Sequence, residues 1–383
     1  RGESKYNLKH VLAFLKKIGF NDSDLITFDE KDSSAQIHKF TDLIKSNPNT
    51  LVVSPGVPLK TPALQKMIED GAFLTSEIAL AASVLTTEKL IGITGSVGKS
   101  TVTSLLGEAA LVADENAFIG GNLGLPFCEY ATAILNNRKK AQWIVLELSS
   151  YQLENMGSLQ LEYSAITYLS PNHLERYKNL QEYYETKIKI TNITKDVCVF
   201  NQRSTDAVEY SKKSACQSVL TDAEHFQDKN LLRHISLIGA HNKDNFAVAA
   251  ELVQLCGWAY ESVKAMATYR GLQHRLEFVA EVKGVKYVND SKATAMDSVL
   301  VAVQGCLERV APNRKLFLLL GGKDKNLPWQ ELAILHQHNN ILCIFFGACG
   351  QLAQSKAKLE GPYFESLGSA IEFCQAQAIT GDT

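Results

Sequence analysis

The run Thr94-Gly95-Ser96-Val97-Gly98-Lys99-Ser100-Thr101 concentrates the residues best suited to chemistry. Its two glycines let main-chain N–H groups turn inward around an anion, the lysine neutralises terminal phosphates, and the adjoining hydroxyl suits Mg²⁺. The commonest phosphate-loop pattern carries a glycine where this chain has Ile93, so the loop is the compact form T-G-x-x-G-K-S-T. In isolation, a glycine turn beside a solvated lysine would read the same way, so the flanks decide. Leu90-Ile91-Gly92-Ile93 before the loop reads as a buried strand, and Val102, Leu105, Leu106 and Ala109 after it recur at helical spacing. Strand, loop and helix in that order are the context in which such a loop binds ATP or GTP.

The same alternation runs along the chain. Leu51-Val52-Val53, Trp143-Ile144-Val145-Leu146, Ala165 to Leu169, Val197 to Phe200, Tyr287-Val288, Leu316 to Leu320 and Ile341 to Phe346 are apolar runs of strand length, separated by longer amphipathic stretches. Continuous apolar strands alternating with helices predict an α/β fold with parallel sheets covered on both faces. In such sheets ligands gather beyond the carboxyl ends of the strands. Glu147, Ser170-Pro171-Asn172-His173 and Asn201 stand at those ends. Soft boundaries divide the chain into residues 1–77, 78–275 and 276–383, each long enough to bury its own core.

Composition narrows the function classes. Lys+Arg 39 against Asp+Glu 41 leaves a net charge of −2, far from the basic excess of a dedicated nucleic-acid binder. Hydrophobic residues at 45% and charged residues at 21% are those of a globular protein, and no apolar run approaches the ~20 residues that span a bilayer. The 8 cysteines are scattered without a C-x-x-C pair, which excludes the usual zinc and redox motifs and predicts a cytoplasmic protein with buried thiols. The expectation is therefore no nucleic-acid and no membrane partner. The chain opens on Arg1 rather than Met, so it reads as a piece lacking both true termini.

Further motifs follow the phosphate loop in order: Gly120-Gly121-Asn122-Leu123-Gly124-Leu125-Pro126, Leu146-Glu147-Leu148-Ser149-Ser150-Tyr151-Gln152-Leu153, Asn172-His173-Leu174-Glu175-Arg176-Tyr177, Gly239-Ala240-His241-Asn242, Gly271-Leu272-Gln273-His274-Arg275, Asn289-Asp290-Ser291-Lys292-Ala293-Thr294 and Leu318-Leu319-Leu320-Gly321-Gly322. Together with the loop they resemble the Mur ligases, and within that family the members that add glutamate. The resemblance runs from near the start to about residue 350. It implies three domains: a Rossmann-like N-terminal domain (1–77) for the UDP part of the substrate, a central P-loop NTPase-like parallel sheet (78–275) for ATP, and a C-terminal Rossmann-like domain (276–383) for the amino acid. The implied reaction joins glutamate to UDP-N-acetylmuramoyl-L-alanine. The substrate carboxylate attacks the γ-phosphate of ATP to give an acyl phosphate, which the amine of glutamate then converts to an amide. A monomer is implied, and so is closure of the C-terminal domain to shield the acyl phosphate from water.

The implied roles are specific. Gly95, Gly98, Lys99, Ser100 and Thr101 hold the triphosphate, while Ser100 and Glu147 hold Mg²⁺. His173 resembles the ligand of a second Mg²⁺. Lys187, on the helix-like stretch Leu180 to Ile190, matches a lysine that the family carries in carbamylated form, with Lys189 a competing choice one gap away. Lys99, His173 and Lys187 make up the catalytic set. Asn245 and Arg275 match contacts to ATP and Asp290 a contact to its ribose, although Asn245 could instead cap its helix. Lys292, Thr294 and Lys325 match positions near the γ-phosphate and the glutamate carboxylates. Asn122, Ser149 and His173 approach the muramoyl end, and Gly56 and Asp29 the uridine side, where Asp29 is equally a turn residue.

The chain departs from the family pattern at Ser96-Val97 (commonly Thr-Asn), Asn172 (commonly Asp) and Tyr151 (commonly Phe). A glutamate-touching Ser-Pro segment of the family would fall beyond residue 383. L-glutamate addition, another Mur-type or folylpolyglutamate ligase, and a non-catalytic nucleotide-binding regulator are the competing readings.

Overall fold

The structure is a computed structural model and describes residues 3–171, 176–293, 296–323 and 327–383. The chain divides into two compact units: residues 1–229 with 244–266, and residues 230–243 with 267–383.

The first unit contains two sheets. In the smaller, β1 (Thr50–Val52) pairs in parallel with β2 (Phe73–Thr75), and the helix Pro62–Glu69 crosses between them. Pro62, with no N–H to leave unpaired, sits at the start of that helix. Leu43, Leu51, Leu64 and Met67 form a core of their own here. The helix Glu3–Lys17 packs elsewhere: Val11, Phe14 and Leu15 join Ile78, Ala81, Phe127 and Tyr130 in the core of the larger sheet.

That larger sheet comprises β3 (Lys89–Thr94), β4 (Phe118–Gly121), β5 (Trp143–Glu147), β6 (Leu161–Ile166), β7 (Thr194–Asn201) and β8 (Gln217–Thr221). Its order is β4-β5-β3-β6-β7-β8, and every pair is parallel. All five residues of β5 are buried, so both faces of that strand are covered. The apolar runs thus form strands as the parallel-sheet reading requires, because alternate residues pack on opposite layers of helices. The chain leaves β3 toward β4 and β5 on one side and returns to β6 on the other. The carboxyl end of β3 is therefore the point where the topology switches, and Thr94 delivers the glycine loop there.

In the second unit, β9 (Glu277–Val282) and β10 (Val285–Asn289) form an antiparallel hairpin. Its two turn residues, Lys283 and Gly284, have φ of 51° and 75°. Positive φ at both positions is the type I′ geometry that matches strand twist in a two-residue hairpin. The strands β11 (Leu316–Gly321), β12 (Ile341–Phe346) and β13 (Tyr363–Phe364) form a parallel sheet. Its core gathers Ile238, Met296, Leu316, Leu320, Trp329, Leu332 and Phe345. β9 carries Glu277 and Glu281, and half of its residues are exposed, so it lacks the apolar run that marks strands such as β5 and β12. Among the described residues, no helix is long and apolar enough to cross a membrane.

Candidate active site

The loop between β3 and the helix Lys99–Ala113 adopts a conformation that only glycine tolerates at two positions. Gly95 and Gly98 have φ of 146° and 91°. A Cβ on Gly95 would lie 1.9 Å from Thr167 Oγ1, and one on Gly98 would lie 2.4 Å from Asn245 Oδ1. The loop is braced from the end of β6. The Thr167 hydroxyl donates to the Val97 carbonyl at 2.6 Å, and the N–H groups of Ser96 and Val97 donate to the Tyr168 carbonyl at 2.9 and 3.1 Å. Gly98 caps the helix without a side-chain hydrogen bond, at the end where the helix dipole favours anions. Lys99 Nζ donates to the Ser96 carbonyl at 3.1 Å, folded back over its own loop. Ser100 and Thr101 are half-buried in the first turn.

Glu147 ends β5 and is 2% exposed. Its Oε1 accepts from Asn122 Nδ2 at 2.7 Å, while Oε2 is buried without a hydrogen-bond partner among the described residues. An unmatched buried carboxylate oxygen is costly in a finished fold, and a cation is the natural complement. Among the described residues no three His, Cys, Asp or Glu side chains cluster as a metal cage. Mg²⁺ takes one or two protein oxygens and completes its shell with phosphates and water. The carboxylate of Glu147 and the hydroxyl of Ser100 are donors of the right hardness.

Lys187, of the expected catalytic set, is deeply buried. It lies on the helix Leu180–Ile188 and is only 1% exposed. Nζ donates to the Gly95 carbonyl at 2.7 Å and stands 4.7 Å from the centre of the Tyr183 ring. Burial holds its pKa well below the ordinary lysine value of 10.5; the charge of Lys99 pushes it the same way, and Glu147 pulls against them. Lys189, the competing choice, is exposed. Tyr183, one turn before Lys187, donates its hydroxyl to Ser96 Oγ at 3.1 Å. One helix face therefore grips the phosphate loop twice. Tyr183 and Thr167 escape the sequence reading, Thr167 because it is one more residue of an apolar strand. Tyr183 carries a signal, since it stands at i−4 from Lys187 on one helix face.

The other expected residues fall into three groups. Within the first unit, Asn245 is buried with its carboxamide against Gly98. Ser149 caps the helix Ser150–Leu153, accepting from Gln152 N at 3.2 Å, while Gln152 Oε1 accepts from Ser149 N at 2.9 Å. Asp29 Oδ1 accepts from the N–H groups of Lys31 and Asp32 at 2.7 and 2.9 Å, which is the turn role left open for it. Within the second unit, Arg275 and Asp290 lie on neighbouring stretches: Asp290 Oδ1 accepts from Leu276 N at 3.0 Å, and Lys292 N donates to the His274 carbonyl at 3.0 Å. Burial raises the pKa of Asp290, and Arg275 opposes it. His173, Thr294 and Lys325 lie outside the described residues.

Comparison with known proteins agrees with this geometry. Residues 93–253 match the Mur ligase middle domain. The UDP-N-acetylmuramoylalanine–D-glutamate ligase of Haemophilus influenzae is 33% identical over 349 residues, covering 87% of this chain and 77% of the relative. The ligase of that name from Koribacter versatilis is 31% identical over 356 residues, covering 87% and 76%. Among solved structures, MurF from Acinetobacter baumannii superposes with a TM-score of 0.60 at 18% identity, covering 86% of this chain and 87% of that one. MurF ligase from Thermotoga maritima in complex with ADP gives 0.59 at 14% identity, covering 95% and 94%. These two likenesses establish the fold, and the closer sequence relatives establish the family. The chain belongs to the Mur ligase family, on the branch of the UDP-N-acetylmuramoylalanine–D-glutamate ligases, and is an ATP-dependent, amide-forming ligase of peptidoglycan precursor synthesis.

Proposed function

We propose that this chain joins D-glutamate to UDP-N-acetylmuramoyl-L-alanine at the expense of ATP, acting as a cytoplasmic monomer with the three-domain division at residues 77 and 275. The names of the relatives support the substrates. The observation that carries the chemistry is the convergence of Lys99, Glu147 and Lys187 on the glycine loop, with the Lys187 amine bonded to Gly95 and subject to the charges of the other two.

The first chemical obstacle is electrostatic, because a carboxylate must approach a triphosphate. The first-turn amides and Lys99 bind and neutralise the phosphates. Ser100 and Glu147 would hold Mg²⁺, with Asn122 fixing the carboxylate. When bound, the metal screens the repulsion between the two anions and polarises the γ-phosphoryl group. A substrate carboxylate oxygen bonds to the γ-phosphorus as the bond to the β-phosphate oxygen breaks and ADP leaves. The amine of glutamate then attacks the acyl carbon. The C–O bond to phosphate breaks, inorganic phosphate departs, and the nitrogen sheds a proton as the amide forms.

Carbamylation of Lys187 belongs to this proposal, along with a second Mg²⁺ held there with His173. A carbamate forms only from an uncharged amine, and the burial of Lys187 favours that uncharged form. Asn245, Arg275 and Asp290 are assigned to ATP, Asp29 and Gly56 to the uridine side, Asn122, Ser149 and His173 to the muramoyl end, and Lys292, Thr294 and Lys325 to the γ-phosphate and glutamate.

Phosphate release with each substrate omitted in turn tests the reading. It should require UDP-N-acetylmuramoyl-L-alanine and D-glutamate together. Turnover with L-glutamate alone would move the chain to the opposite stereochemistry. A requirement for a folate would place it with another ligase, and no turnover with any of these would remove the reading.

A further inference from the structure

Arg176 takes no part in the steps above, yet it is one of the most thoroughly engaged side chains of the first unit. It is 10% exposed and pairs with Glu154, itself 17% exposed. Its Nη1 donates to the Gly56 carbonyl at 3.1 Å. Its Nη2 donates to the Val57 carbonyl at 3.3 Å and to Glu154 Oε2 at 2.8 Å. The guanidinium carbon stands 4.4 Å from the centre of the Tyr151 ring. Glu154 Oε1 is held in turn by the Tyr177 hydroxyl at 3.0 Å. One planar cation thus joins three stretches of chain: the loop after β1, the helix Ser150–Leu153 with its following residue, and residues 176–177.

We infer that Arg176 is a positioning residue that sets the Ser54-Pro55-Gly56 loop for the UDP substrate. This rests on the reading above, in which Gly56 approaches the uridine side. Two consecutive carbonyl oxygens would repel a diphosphate if they turned toward it. Arg176 draws both onto a positive charge, and that charge is itself balanced by Glu154. Only a planar fork reaches two neighbouring carbonyls and a carboxylate while stacking on a ring, so lysine cannot replace it in full.

The test uses Arg176→Ala and Arg176→Lys in the whole chain, with affinity for UDP-N-acetylmuramoyl-L-alanine measured by calorimetry without ATP. Kinetic constants are taken for all three substrates. A loop displaced by about an ångström predicts a ~10- to 100-fold loss of affinity and rise in KM for the UDP substrate in Arg176→Ala. The KM values for ATP and glutamate should stay within about twofold, and Arg176→Lys should recover only part of the loss. If Arg176→Ala fails to fold, Tyr151→Leu removes the stacking face alone and should shift the UDP-substrate KM in the same direction. Unchanged affinity in the folded variant, or equal losses for ATP and the UDP substrate, overturns the inference while leaving the ligase reading intact. Failure of the unaltered chain to bind the UDP substrate overturns both.

Discussion

Replacing Lys187 by Met tests whether the buried amine is uncharged. Methionine has nearly the same length and keeps the contact with Tyr183, but it loses the hydrogen bond to Gly95 and the ability to ionise. The lost bond costs about 0.5–1.5 kcal/mol. Removing a protonated state that burial disfavours works in the opposite direction, and its size depends on pH. Most lysines that gain a partner have a folded pKa above the unfolded one. Lys187 is the reverse, with its folded value well below 10.5. Between the two values the unfolded chain binds a proton that the folded chain does not, so stability rises with pH at about 1.4 kcal/mol per unit. Above 10.5 both states are neutral and the burden is gone. Methionine has no such dependence. The stability of Lys187→Met relative to the unaltered chain should therefore fall as the pH rises between those two values, by about 1.4 kcal/mol per unit. Urea unfolding of both chains across that range, in buffers stripped of CO₂, measures it. Taking the difference cancels every other titrating group. A difference that stays flat over this range would mean that Lys187 titrates like a surface lysine, which would refute the argument and leave carbamylation without its chemical basis.

Glu147→Gln should separate metal binding from folding. The amide keeps the acceptor for Asn122 and removes the charge at the unmatched oxygen, so the metal-free variant should be as stable as the unaltered chain or more so. Its turnover should fall on the order of 10²–10³-fold, in proportion to several kcal/mol of lost transition-state stabilisation, and Mg²⁺-ATP should no longer raise its melting temperature. Turnover within a few-fold of the unaltered chain, measured by phosphate release, would remove Glu147 from the metal site. Gly98→Ala should abolish nucleotide binding in equilibrium titrations, because its φ of 91° is strained for alanine and the methyl would meet Asn245. Retained binding would mean that the loop shape is not what recognises phosphate.

The parts of this site made by neighbours in sequence were readable from the sequence. The glycine spacing, the strand before it and the helix after it define the phosphate loop, and the apolar run Trp143 to Leu146 puts Glu147 at a strand end. What the sequence left open was which side of a helix faces the loop. Lys187 and Lys189 are both lysines of one helical stretch, and only packing shows one buried and the other exposed. Ser149 illustrates the opposite difficulty. Its spacing to Gln152 is that of a capping box, a local role legible in the sequence beside the ligand role that the motif implies. Arg176 was illegible as a clamp because its partners Gly56 and Glu154 are 120 and 22 residues away.

The acyl phosphate can be tested directly with UDP-N-acetylmuramoyl-L-alanine labelled with ¹⁸O in both oxygens of its alanyl carboxylate. If the carboxylate attacks the γ-phosphorus at this loop, each turnover with D-glutamate must carry one ¹⁸O into the released phosphate and leave the other in the amide. Mass spectrometry of phosphate and product reads both. Phosphate free of label, with the amide still formed, would contradict the mechanism.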